Sequence, residues 1–178
     1  YIAAYQMMNA SLAYFTMKTL QKLHGIPDEK LREGICRVNW PGRMETILPG
    51  VIVDGAHNED GISQFVKTVR HFRRDNRIVL LFSAVSDKQY QEMIELLYRE
   101  IAPDAVVTTQ IGGYREIPAE ELARLFSENG VREVAAEPEV AKALEKALSF
   151  QRDGMVFCVG SLYLIGEIKA SLKEEKKC

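Results

Sequence analysis

In the run Val51-Ile52-Val53-Asp54-Gly55-Ala56-His57-Asn58, a short apolar strand ends abruptly in three polar side chains. Polar groups placed directly after a buried strand mark a binding site at the edge of an α/β sheet. Just upstream stand Trp40-Pro41-Gly42-Arg43 and a strand-like run over 44–48, joined to Val51 through Pro49-Gly50. A Pro-Gly pair between two apolar runs predicts a hairpin whose first strand is antiparallel to the second. Trp40-Pro41-Gly42 cannot continue a helix, so the chain turns there.

Downstream of Asn58 the pattern alternates. Helices are predicted over 59–72, 87–100, 119–129, 139–150 and 162–173, and strands over 78–82, 105–109, 131–135 and 155–159. Strands joined by helices run parallel, so the expected fold is a doubly wound, mostly parallel α/β sheet of about six strands with helices on both faces and one antiparallel edge strand from the hairpin. Every segment that follows a parallel strand then emerges on one edge: 54–58, 83–88, 110–115, Glu137, and Gly160-Ser161. Upstream, Met7, Met8, Leu12, Phe15, Leu20 and Leu23 recur at helical spacing over 2–24, and Gly25 and Pro27 end that pattern. A shorter helix over 28–36, capped by Asp28, places Leu31 and Ile35 on one face.

Several of these residues also have purely structural readings. Ser86-Asp87-Lys88-Gln89 fits a capping box, although Lys88 at a helix start opposes the dipole. Ser161 fits an N-cap, and Gly160 a tight strand-to-helix turn. His71, Arg73 and Arg74 read as dipole complements and solvated charge, the stretch 173–177 as an exposed helix end, and His24 as structural.

Composition narrows the partners. With 178 residues, 47% of them hydrophobic, the chain can bury a full core, and 23 basic against 25 acidic residues leave no basic field for nucleic acid. No apolar stretch approaches the roughly 20 residues that span a bilayer, and no signal peptide opens the chain, so no membrane partner is expected. Cys36, Cys158 and Cys178 are far apart, without Cys-x-x-Cys spacing or a nearby His, which supports neither a disulfide framework nor zinc and suggests reduced thiols in a cytoplasm. Tyr1 already lies inside a helical pattern, so we expect the sequence to start partway through something longer.

The chemistry at the predicted edge suggests a nucleotide. Asp54 at a strand end can accept both ribose hydroxyls, and Arg43 can engage phosphate oxygens in a bidentate way. His57 adds an imidazole beside a helix N-terminus. Neither Gly-x-x-x-x-Gly-Lys-Ser/Thr nor Gly-x-Gly-x-x-Gly follows a strand here. The phosphate loop and the metal ligands are therefore expected from outside this chain.

Tyr5-Gln6-x-x-Asn9-Ala10, Trp40-Pro41-Gly42-Arg43-x-Glu45, Asp54-Gly55-Ala56-His57-Asn58, Asp87-Lys88 and Val159-Gly160-Ser161-Leu162-Tyr163-x-x-Gly166-Glu167 occur in that order. Together they resemble the carboxy-terminal part of the folylpolyglutamate synthase and dihydrofolate synthase family, within the Mur ligase superfamily. The resemblance implies a Rossmann-like carboxy-terminal glutamate ligase domain over 38–178. It also implies that 1–37 holds the terminal helix or helices of an upstream ATPase domain of the same polypeptide, plus a linker. The implied reaction is ADP-forming: ATP phosphorylates the glutamyl carboxylate of a folate, the amine of L-glutamate attacks the acyl phosphate, and an amide forms. The family is often bifunctional, with dihydrofolate synthase activity as well, and the fragment alone is expected to be inactive.

Position by position, the resemblance places Gln6 and Asn9 near adenine, Arg43 at the ATP phosphates and Asp54 on the ribose. It places His57, Lys88 and Ser161 on the incoming glutamate, with Arg43 and His57 as the catalytic pair and Mg2+ held upstream. His57 has a second possible role in deprotonating the attacking ammonium; binding is the favoured one. The chain departs from the family pattern with Ser83 where glycine is usual, Gln89 where aspartate is usual, and Gly113-Tyr114 before Arg115 where Pro-Arg is more common. Two rival readings remain: a Mur-type ligase for another carboxylate, such as a cell-wall precursor, and a non-enzymatic flavodoxin-like or receiver-type module. The second is disfavoured because Phe82 leads into Ser83-Ala84-Val85 where a receiver needs an Asp.

Overall fold

Ile78-Val79-Leu80-Leu81-Phe82 and Met155-Val156-Phe157-Cys158-Val159 are continuous apolar runs, the pattern of strands covered on both faces. In the structure, a computed structural model that describes residues 4–73, 76–86 and 89–175, they lie side by side in the middle of one sheet. The strands are β1 (Glu45–Leu48), β2 (Val51–Val53), β3 (Ile78–Phe82), β4 (Ala105–Thr108), β5 (Val134–Ala136) and β6 (Met155–Val159), in the order β1-β2-β6-β3-β4-β5. Only the β1–β2 pair is antiparallel, and an irregularity between Thr46 and Leu48 breaks the register of that edge strand. Such a break blunts an exposed edge.

Register shows how the two faces are filled. Val53, Cys158, Leu81, Val107 and Ala135 form one row across β2, β6, β3, β4 and β5. The first four of these belong to a cluster with Val140, Ala143, Leu144 and Ala147 of α6 (Val140–Gln151) and Leu164, Ile165 and Ile168 of α7 (Leu162–Glu175). Phe157 and Phe82 face the other way. Phe157 meets Phe65 and Phe72 of α3 (Glu59–Arg73) edge to face, and Phe82 meets Phe126 of α5 (Ala119–Glu128), with α4 (Tyr90–Ile101) packed between α3 and α5. Right-handed crossovers account for α6: the chain steps one way from β2 through β5 and then returns to insert β6 between β2 and β3, so α6 covers the opposite face, and α7, which follows the last strand, packs beside it. The sheet is doubly wound as expected, and the loops after β2, β6, β3 and β4 share one edge. There Gly160 N–H donates to Ala56 O, Ser83 N–H to Val159 O, and Thr109 N–H to Phe82 O.

Several local expectations need correction. The fourth helix starts at Tyr90, not at 87, and Gln89 is its N-cap without a side-chain bond. The capping box fails because Ser86 N–H is taken by Arg115 O beside a bridge between Val85 and Glu116, which keeps 85–86 out of the helix. The strand expected over 131–135 is Val134–Ala136. Val131 instead closes α5: its N–H reaches Phe126 O, Gly130 N–H reaches Ser127 O, and Gly130 takes φ +110, a Schellman ending with Val131 as its apolar contact. Asp28 is also not a cap; Pro27 holds that position, and the Asp28 carboxylate instead accepts Lys18 Nζ at 2.7 Å and Gln21 Nε2 at 2.6 Å. Likewise Arg73 is not merely solvated, because it pairs with Asp104. Arg74 lies outside the described residues.

The chain divides into two compact units, Tyr1–Pro41 and Gly42–Cys178. The first contains α1 (Ala4–His24) and α2 (Asp28–Arg37), and Met7, Met8, Leu12, Phe15 and Leu23 of α1 are exposed. No helix among the described residues is long and apolar enough to cross a membrane.

Candidate active site

Arg43 sits between two residues in the left-handed region, Gly42 at φ +74 and Met44 at φ +44. A left-handed methionine needs support from its surroundings, and Asp54 provides it. The Asp54 carboxylate is almost wholly buried; its Oδ2 accepts Met44 N–H at 2.9 Å and its Oδ1 accepts Ala56 N–H at 2.9 Å. Gly55 N–H donates to Gly42 O at 2.7 Å. Both peptide groups flanking Arg43 are therefore bonded to the Asp54-Gly55 segment, and two separate sequence motifs form one rigid piece. The Arg43 guanidinium lies 3.9 Å from Asp54 Oδ1, a charge contact and not a hydrogen bond, so this contact consumes none of its donors.

His57 is oriented by its own loop. Its Nδ1 lies 2.8 Å from Gly55 O, and a carbonyl can only accept, so Nδ1 donates there and Nε2 is the ring nitrogen this contact leaves for another group. Asn58 caps α3 through a 2.8 Å bond from Gly61 N–H to its Oδ1. Ser161 caps α7 by accepting Tyr163 N–H at 3.1 Å, as the sequence predicts, and is nearly buried. Gly160 before it takes φ +111, where a Cβ would stand 2.2 Å from Ser83 O. Leu162 lies over Gly55 so closely that a Cβ on Gly55 would meet its Cδ2 at 2.2 Å. Arg43, Asp54, His57 and the Ser161 turn thus converge where the loops after β2 and β6 meet. Neighbouring loops there lead to helices on opposite faces, the place where open α/β sheets bind ligands.

The sequence profile of the family described as Mur ligase, glutamate ligase domain, matches residues 42–162. The chain belongs to that family. The dihydrofolate synthase/folylpolyglutamate synthase of Bacillus subtilis is 34% identical over 177 residues, 97% of this chain and 40% of that protein. The Mycobacterium tuberculosis folylpolyglutamate synthase complexed with ADP and AMPPCP superposes with a TM-score of 0.81 at 26% identity, covering 95% of this chain and 40% of that one. The Yersinia pestis bifunctional enzyme complexed with AMPPNP and a manganese ion shares the fold, with a TM-score of 0.70 at 21% identity over 83% of this chain and 35% of that one. The chain spans about 40% of the length of the first two of these relatives.

The other residues that the sequence singled out are placed as follows. Gln6 and Asn9 lie three apart on α1, on one side of that helix, in the first compact unit. Lys88 lies outside the described residues. Arg115 stacks its guanidinium 5.5 Å from the ring centre of Tyr114, which is fully exposed. No group of three or more His, Cys, Asp or Glu side chains converges among the described residues in a way that could hold a metal.

Two features of the domain's edge escaped sequence reasoning. Ser83, in the loop after β3 on this same edge, has a buried hydroxyl without a partner among the described residues. Glu45 accepts Gly42 N–H at 2.6 Å and Lys169 Nζ of α7 at 2.8 and 2.9 Å. Burial pushes the Glu45 carboxyl up, but Lys169 and the Gly42 N–H outweigh it and hold it below the usual range. Glu45 stands three residues after Gly42, a spacing that hints at the loop contact, whereas nothing local announces a lysine 124 residues away. Burial raises the Cys158 thiol far above its ordinary value, which leaves it inert.

Proposed function

We propose that the protein of which this chain is part is an ATP-dependent, ADP-forming ligase that adds L-glutamate to the glutamyl carboxylate of a folate. The observation that carries this reading is the joining of the Arg43 loop to the Asp54–His57 loop beside the Ser161-capped start of α7. One edge thereby offers a cation for phosphate, a carboxylate for ribose and a helix N-terminus for the anionic amino acid. Its named relatives support the same chemistry.

In this reading Arg43 offsets the charge that builds as the γ-phosphoryl group moves from ATP to the substrate carboxylate. Asp54 keeps the loop in shape and accepts from the ribose. His57 presents Nε2 to the amino group of L-glutamate, while Ser161 and Lys88 serve its carboxylates. The neutral amine then attacks the acyl phosphate carbon, phosphate leaves with the C–O bonding electrons, the nitrogen releases a proton to the departing phosphate or to water, and the amide remains. Gln6 and Asn9 attend the adenine. Magnesium, held by residues of the longer polypeptide, would supply charge neutralisation at the phosphates. Residues 1–37 belong in this reading to the upstream ATPase domain, which accounts for the exposed apolar side chains of α1. The domain alone would be inactive, and a cytoplasmic setting suits the ATP it consumes.

The full-length protein tests this directly. ADP release is expected to require both L-glutamate and a tetrahydrofolate, with one ADP formed per glutamate added. ADP release that depends on a cell-wall precursor and not on folate would move the assignment to another Mur-type substrate.

A further inference from the structure

Glu45 opens β1, yet its carboxylate turns back into the loop that carries Arg43 and takes the Gly42 N–H. Lys169 of α7 holds both of its oxygens. The two side chains keep only 24% and 32% of their exposure, so the pair is sheltered from the solvent screening that makes surface ion pairs weak. Three backbone groups fix the loop: Gly42 N–H, Gly42 C=O and Met44 N–H. The last two are bonded by the Asp54-Gly55 segment. Only the first is tied to a different element, and that tie runs through Glu45 to α7. A loop with a left-handed glycine and a left-handed methionine on either side of its arginine has easier conformations to relax into, and each bond lost widens the arginine's range.

We propose that Glu45 and Lys169 form a positioning pair that anchors the Arg43 loop to α7 and so sets the guanidinium for phosphoryl transfer. Neither residue needs to touch the substrate. This inference rests on the role given to Arg43 above. A guanidinium misplaced by about 1 Å can cost as much as a hundredfold in rate, so the pair should show in turnover more than in folding.

The test uses the full-length protein with Glu45→Gln, Lys169→Met and Lys169→Arg. Glutamine keeps an acceptor without charge, and arginine restores the charge. Expected for Glu45→Gln and Lys169→Met is a fall in kcat/KM for ATP of about tenfold or more, with KM for L-glutamate near the wild-type value. Deuterium exchange should rise about threefold or more in the segment 40–48 while β3 and β6 stay protected. Lys169→Arg should recover most of the activity. Wild-type kinetics in both charge-removing variants would overturn the proposal, as would exchange rising equally across the sheet, which is the mark of a merely structural pair. A wild-type protein that does not ligate glutamate would instead overturn the functional reading. Exchange at 40–48 would then decide by itself whether the pair anchors the loop.

Discussion

In the proposed function Asp54 both holds a loop and meets a ligand, and substitutions separate these tasks. Asp54→Ala strips the acceptors from the N–H groups of Met44 and Ala56. At roughly 1 to 3 kcal/mol for each of the two buried groups left unpaired, the expected stability loss is about 2 to 6 kcal/mol. Asp54→Asn keeps one oxygen to accept and should lose about half as much, while still raising KM for ATP because the charge facing the ribose and Arg43 is gone. Denaturant midpoints and ATP kinetics on the two variants check this; equal stability loss in both would deny Asp54 its role in the loop. At this scale, the placing of Arg43, Asp54 and His57 at one sheet edge was legible because each lies in a short run with an unusual residue order. The Glu45–Lys169 contact was not legible, because a tertiary pair leaves no trace in local spacing. Nor did the sequence show that Asp54 spends part of its bonding capacity on its own backbone.

The junction of β6 and α7 concentrates the demands on single elements. At Gly160 a Cβ would meet Ser83 O at 2.2 Å and the Phe82 ring at 2.7 Å, and φ is +111 besides. Gly160→Ala is expected to cost about 3 kcal/mol or more and to displace Ser161, so that KM for L-glutamate rises along with the fall in unfolding midpoint. Ser161→Ala removes the α7 cap at an expected cost of about 1 kcal/mol. A glutamate KM unchanged in Ser161→Ala would confine that residue to capping. Both central strands were legible to the residue, because an unbroken apolar run between turn signals has few other readings. The start of α4 and of β5 were misread where tertiary or capping bonds overrode pattern: Arg115 O captured Ser86, and α5 used Val131 to close its end. Sequence periodicity cannot see either competitor.

Across the whole sheet, the end opposite the site is held by ion pairs whose titration should appear in stability. Asp104 Oδ2 accepts Ile78 N–H at 2.8 Å at the start of β3, and the carboxylate also pairs with Arg73. Burial pushes its carboxyl up, but Arg73 and the Ile78 N–H pull it below the ordinary value. A depressed carboxylate contributes stability that is complete above the unfolded pKa of about 4 and is lost as pH falls through the lower native value. Unfolding midpoints followed from pH 6 downwards, as about that range allows, should therefore drop below about pH 4 in the wild type and drop less in Asp104→Asn. A parallel decline in both would remove Asp104 from the account. The doubly wound class was legible from the alternation of elements, but the insertion of β6 between β2 and β3 was not, since all three are apolar runs and only their packing sets the order. That insertion is what brings the Gly160-Ser161 turn to the loop after β2, where Gly160 N–H meets Ala56 O. The central claim, that this edge binds ATP and aligns glutamate, is tested most directly by glutamate addition to tetrahydrofolate in the full-length protein bearing Arg43→Ala or Asp54→Ala. Each is expected to lose about a hundredfold or more in kcat/KM for ATP, and wild-type rates in both would contradict the site.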